Sequence, residues 1–124
     1  MSALGAFCNQ LIAFFEDLSE SYPEDKEISV AAQALKLVKQ ANPRLIHTFF
    51  MNVLYNEFAE HVMTENEDYI IRRAKEILSV KYEHISCALM IFDKHWHTMS
   101  ETNKQHVWRY LKSLILLAKR VDPA

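Results

Sequence analysis

Three of the six histidines and both tryptophans fall between Asp93 and Leu111, in DKHWHTMSETNKQHVWRYL. Asp93, His95 and His97 offer a carboxylate and two imidazoles, donor types that bind zinc. Residues two apart on a helix point to different sides, so these three converge only where the helix has already ended. A histidine near a helix C-terminus also has a purely structural role, because its protonated form is favoured by the negative end of the helix dipole. The stretch is therefore read as a joint between two helices, with Trp96 and Trp108 as core anchors on either side, and no metal is assigned to it.

The remaining chemical groupings are no sharper. Glu57 and His61 stand one helical turn apart with Glu60 beside them, but lack the paired histidines of a zinc-protease helix. His84 and Cys87 are also a turn apart, without further ligands at a recognised spacing. The single glycine is Gly5, which leaves no phosphate-cradling loop, dinucleotide fingerprint or nucleophile elbow. An enzyme would need at least two of Glu57, His61, His84, His95 and His97 in one cleft. No catalytic residue, metal or cofactor is assigned, and a non-enzymatic role is expected.

The last helical stretch carries a more definite surface. On a helical wheel Arg109, Lys112, Lys119 and Arg120 occupy the arc opposite its apolar stripe, and Leu116 lies within that arc. An electropositive strip with an apolar centre suits docking to an acidic protein surface. It also suits phosphates, and a small nucleic-acid-associated protein is the alternative. Four cations are few for that purpose, no aromatic is interleaved among them, and the chain's net charge is −2.

Half of the 124 residues are hydrophobic, a quarter are charged, and only three are proline, a composition that favours long helices over strands. One domain spanning 1–124 is expected, an all-α, compact bundle of five to six helices with two central apolar helices. Leu4, Phe7, Cys8, Leu11, Ile12, Phe15 and Leu18 mark a first amphipathic helix over about 3–20. Pro23 with Glu24, Asp25 and Glu27 marks the start of a second, and Asn42-Pro43 the start of a third. The third, RLIHTFFMNVLYNEFAEHV, is apolar nearly all round and predicts a central helix. Thr64 and Glu67 have capping-box spacing before a shorter, more exposed helix. A second central helix is expected from about Tyr82, through Ile85, Leu89, Phe92 and Trp96. Ser100 is the expected cap of the last one, whose core stripe is Val107, Leu111, Leu114, Ala118 and Val121.

Charge is distributed unevenly, with one lysine against six acids in residues 1–30 and six bases against two acids in residues 94–124. Acidic and basic ends favour terminal helices that lie side by side. Cys8 and Cys87 sit in apolar surroundings, which fits small buried hydrophobes in a reducing compartment. The first residues, MSALGAFCNQ, do not read as a secretory leader, and the longest apolar run, LILLA, is far too short to span a bilayer. An intracellular location follows as the expectation.

FFEDLSESYPED at 14–25, NPRLIHTFF at 42–50 and IFDKHWHTMSETNKQHVWRYLKSLILLA at 91–118 together resemble a group of short, uncharacterised all-helical proteins of large nucleocytoplasmic DNA viruses of algae and protists. The most specific part is the run Ser100, Asn103, Lys104, Val107, Trp108, Tyr110, Leu111 and Leu114. The resemblance implies a viral origin and action in the cytoplasm or nucleus of an infected cell, and brings no activity or catalytic residue with it. Bottom-up, the chain reads as a helical module that binds a host or viral protein partner through its surface. The high apolar content also suits a homo-oligomer, in which a second copy covers excess apolar area.

Overall fold

The computed structural model describes residues 2–80, 89 and 91–121. All regular structure among them is helical. Helix α1 spans Ala3–Ser21, α2 Lys26–Ala41, α3 Pro43–Phe49, α4 Asn56–Met63, α5 Glu67–Val80 and α6 Glu101–Arg120. A π-helical segment, Phe50–Tyr55, joins α3 to α4, and a second, Ile91–His95, leads through a 3-10 turn, Trp96–Thr98, towards α6. The expected all-α bundle is what forms.

Local chemistry sets the helix ends. The Ser2 hydroxyl accepts from the Gly5 N–H at 2.9 Å and starts α1. The Asp25 carboxylate accepts from the Glu27 N–H at 3.2 Å and starts α2. Pro43 occupies the first turn of α3 as expected, but the Asn42 side chain makes no capping bond there. Ser100 caps α6 by accepting from the Asn103 N–H at 3.2 Å. The capping box expected at Thr64 and Glu67 does not form. Thr64 ends α4 instead, its hydroxyl bonded to the Glu60 carbonyl at 3.0 Å, and the Asn66 side chain accepts from the Tyr69 N–H at 3.3 Å. Between them Glu65 adopts a left-handed conformation, φ 54°, with its N–H on the Val62 carbonyl and the Asn66 N–H on the His61 carbonyl. These two bonds make a Schellman turn with glutamate where glycine is usual.

The core gathers round α1, which packs against α2, α3 and α6 and buries Phe7, Cys8, Leu11, Ile12, Phe14, Phe15 and Leu18. Its expected partner across the bundle, α6, buries Val107, Trp108, Leu114, Ile115 and Ala118. The α3 to α4 rod contributes Ile46, His47, Phe50, Phe58 and Val62 to the interior. Although apolar nearly all round, this rod is covered on one side only, and Leu45 and Phe49 on its outer face stay exposed, Phe49 at 41%. The second central helix falls largely on residues 81–88 and 90, outside the described residues. Its described members Leu89, Ile91, Phe92 and Trp96 are all buried.

The π-helical segment explains how one rod serves the core along its length. Ile46, Phe50, Phe58 and Val62 are spaced by four, eight and four residues. In an unbroken α-helix this would carry Val62 about 160° round the axis from Ile46. The wide turns at Phe50–Tyr55, marked by the Asn56 N–H on the Met51 carbonyl, absorb an extra residue and reduce that angle to about 60°.

Candidate functional site

The histidine-rich joint is structural in its described contacts. Trp96 is 1% exposed, its ring meets that of Trp108 edge-on at 5.1 Å, and its Nε1–H donates to Glu67 at 3.0 Å. His95 turns away from Asp93 and His97. Its Nε2 lies 2.7 Å from the Asp25 carboxylate, and its ring stacks on Tyr22 at 4.0 Å. Lys94 approaches Asp25 at 3.9 Å and Glu27 at 3.5 Å. Burial, the largest single influence on Asp25, pushes its pKa up. The hydrogen bond with His95, the Lys94 charge and the Glu27 N–H together outweigh it and hold the carboxyl below its ordinary range. The cap of α2 is thereby fastened to the segment that leads into α6.

Glu57 and His61 belong to a second fastening, between α4 and α5. Glu57 accepts from the Tyr69 hydroxyl at 2.6 Å and from Arg73 Nε at 2.8 Å, and these bonds lower its pKa. His61 stacks on Tyr69 at 3.6 Å, with Asn66 Nδ2 at 3.3 Å from its Nδ1. Glu57 and His61 are thus neighbours, with Tyr69 between them, whereas His95 is engaged elsewhere and His97 is exposed. His84 and Cys87 lie outside the described residues. Among the described residues no group of three or more histidines, cysteines, aspartates or glutamates is arranged to hold a metal ion. Cys8 is a buried free thiol, its Sγ 3.6 Å from the Pro43 carbonyl, and burial pushes its pKa up.

The basic arc of α6 is placed by the opposite stripe. Val107, Leu114, Ile115 and Ala118 anchor one side of the helix, and His47 Nε2 fixes its end by bonding the Ala118 carbonyl at 2.9 Å. That leaves Arg109, Leu116, Lys119 and Arg120 outward, with Leu116 51% exposed. Lys119 and Arg120 stand in the last turn, where cations complement the helix dipole. Lys112 departs from the sequence reading. It is half-buried and paired with Glu65 at 2.6 Å, so it ties α6 to the turn between α4 and α5.

Glu65 is the residue that sequence reasoning missed. A glutamate at a left-handed position costs roughly 1–2 kcal/mol that glycine would avoid, and the bond to Lys112 shows what the side chain supplies in return. The strip accordingly consists of Arg109 at one end, Leu116 in the middle, and Lys119 and Arg120 at the other. These three cations make no ion pair among the described residues.

No helix among the described residues is long and apolar enough to cross a membrane. Comparison with protein-family models, curated proteins and solved structures finds no match to this chain.

Proposed function

We propose that this chain is a non-enzymatic interaction module that docks an acidic surface of a protein partner through the outer arc of α6. The observation that carries this reading is Leu116, 51% exposed between Arg109, Lys119 and Arg120, which make no ion pair among the described residues. An apolar side chain ringed by cations favours a partner that offers a small apolar socket with carboxylates at its rim. The sequence resemblance to viral helical proteins supports looking for that partner in an infected cell.

The pairing of Lys112 with Glu65 favours protein over nucleic acid as the target. With Arg109, Lys119 and Arg120 as the remaining cations, log K would fall with log salt at a slope of only about −2.7 on a duplex. A strip that neutralises so few phosphates binds weakly at physiological salt. Nucleic-acid association remains the alternative reading of the same strip.

A photo-crosslinking residue placed at Leu116, with the same probe at exposed Asn52 as comparison, tests the proposal in cells that make the protein. Protease-sensitive adducts from position 116 and none from position 52 are expected. Nuclease-sensitive adducts would replace the proposal with the nucleic-acid alternative. The absence of adducts particular to position 116 would contradict both.

A second copy of the chain is a further proposed partner, for a different face. Val30 and Leu37 lie two turns apart on the outer side of α2, Leu37 at 67% exposure. Leu45 and Phe49 are exposed on α3, which packs against α2. Burying such residues between copies would remove the apolar surface that the monomer leaves in water.

A further inference from the structure

A cleft with an accessible volume of about 90 Å³ opens between the C-terminal half of α1 and the N-terminal half of α6. Phe14, Leu18 and Val107 form its buried floor. Asp17, Tyr22 and Tyr110 stand at its walls, and Ser21, Asn103 and His106 at its rim. It occupies a different arc of α6 from Arg109 and Leu116, so it stands apart from the docking strip.

The chemistry of this cleft is one-sided. Among its described lining residues Asp17 is the single carboxylate, and none is a lysine or arginine. The Tyr110 hydroxyl donates to Asp17 Oδ2, which holds the carboxylate against the aromatic wall and pushes the Tyr110 pKa up to about 12, so the phenol keeps its proton. Asp17 Oδ1 has no hydrogen-bond partner among the described residues. The Phe14 and Tyr110 rings lie 5.0 Å apart, tilted by 36°, and Tyr22 adds a third ring. The cleft also sits at the end of α1, where the helix dipole is negative, and residues 1–30 carry six acids against one lysine. A carboxylate oxygen, aromatic faces, the negative end of a helix and an acidic surround all attract the same kind of group.

We infer that the cleft between α1 and α6 binds an organic ammonium group, with the cation at Asp17 and its alkyl part over Phe14, Leu18 and Val107. An anion is disfavoured, since the described lining holds a carboxylate and neither lysine nor arginine. A neutral alcohol would gain the apolar floor but forgo the carboxylate and the ring faces. The ammonium belongs either to a free alkylamine or to a lysine side chain of a peptide, and the two share the same recognition chemistry.

Titration of the full-length protein with n-butylammonium, followed by NMR at Asn103, His106 and Tyr110, tests this. Saturable shifts at these residues are expected, with n-butanol and butyrate at least about tenfold weaker. Asp17 is exposed, so Asp17→Asn should fold normally and weaken butylammonium by about tenfold or more. Tyr110→Phe keeps the ring and releases the carboxylate from its hydrogen bond, and should bind at least as well as the natural protein. Glu16→Gln, on the neighbouring residue outside the cleft, should change nothing. A lysine-containing tripeptide with blocked ends binding tighter than butylammonium would identify a peptide as the source, and equal or weaker binding would identify a free amine. Butanol binding as well as butylammonium, Asp17→Asn without effect, or no saturable shift would each overturn the inference.

Discussion

At the scale of single residues, Asp25 shows how much one side chain can join. One of its oxygens caps α2 through the Glu27 N–H, and the other meets His95 at 2.7 Å, with only 8% of the side chain exposed. Its pKa is lowered in the folded chain, so its ionised form stabilises the fold. That stabilisation is complete above the ordinary carboxylate value, near 3.8, and is lost as pH falls through and below it. Asparagine caps a helix as well as aspartate does, but lacks the charge. Asp25→Asn should therefore keep the cap yet flatten the acid limb of a plot of thermal stability against pH, whereas Asp25→Ala should cost about 1 kcal/mol more through loss of the cap. An unchanged acid limb in Asp25→Asn would show that the His95 contact adds nothing. None of this pairing was legible in the sequence, where Asp25 read as a first-turn acid and His95 as a helix-end imidazole 70 residues away. Local patterns name the groups at a helix end and do not say which distant end they meet.

Among the elements, the α3 to α4 rod holds the clearest lesson. Its apolar residues were legible, and so was its helical nature, but their spread round the wheel read as burial on all sides. The π-helical segment resolves the spread differently, realigning Ile46 and Phe50 with Phe58 and Val62 and leaving Leu45 and Phe49 outside. A periodicity of 3.6 cannot reveal this, because one extra residue in a helix shifts the phase without changing any residue type. Deleting the exposed Asn52 should remove the extra residue and restore a regular helix with both halves still facing the core, whereas an alanine inserted after Asn52 adds a second extra residue and should turn one half away. The expected result is a Tm close to the parent's for the deletion and a fall of roughly 10 °C or more for the insertion, since misplacing Phe50 or Phe58 forfeits most of a buried aromatic's contribution. An insertion variant as stable as the parent by calorimetry, or a deletion as damaging as the insertion, would show that the segment has no such aligning role. The helix starts at Pro43 and Ser100 were readable because their determinants lie within three residues of the boundary, whereas the second start, read close to Pro23, falls at Asp25, which caps α2 from outside its first turn. The cap at Asn66 was mistaken for Thr64 because the left-handed Glu65 between them is held by backbone bonds that leave no trace in composition.

For the molecule as a whole, composition alone was sufficient for the class: little glycine or proline and abundant apolar periodicity allow few outcomes besides a helical bundle. The acidic first part and the basic last part of the chain do lie side by side in the packing of α1 against α6, but Asp17 meets the neutral Tyr110 there and no ion pair joins the two helices among the described residues. What the sequence could not supply was which apolar residues remain outside. If Val30, Leu37, Leu45 and Phe49 form a face between copies, light scattering should give twice the 14.5 kDa of one chain at micromolar concentration. Leu37→Glu combined with Phe49→Glu should then return it to the monomer with no loss of helix. A monomer mass at high concentration would remove the second copy from the proposed partners without touching the α6 strip, which lies on another helix.

The strip itself is tested most directly by a single substitution at its apolar centre. Tagged natural protein and Leu116→Asp, matched in thermal stability, would be used to capture protein from extracts of the cells that make it, and the recovered partner quantified for each. Leu116 is exposed, so the substitution should leave the fold intact while placing a carboxylate where an acidic surface has to dock. Recovery is expected to fall at least about tenfold, with a smaller, salt-dependent fall for Arg109→Glu. Equal recovery by the natural protein and Leu116→Asp would contradict docking through this face.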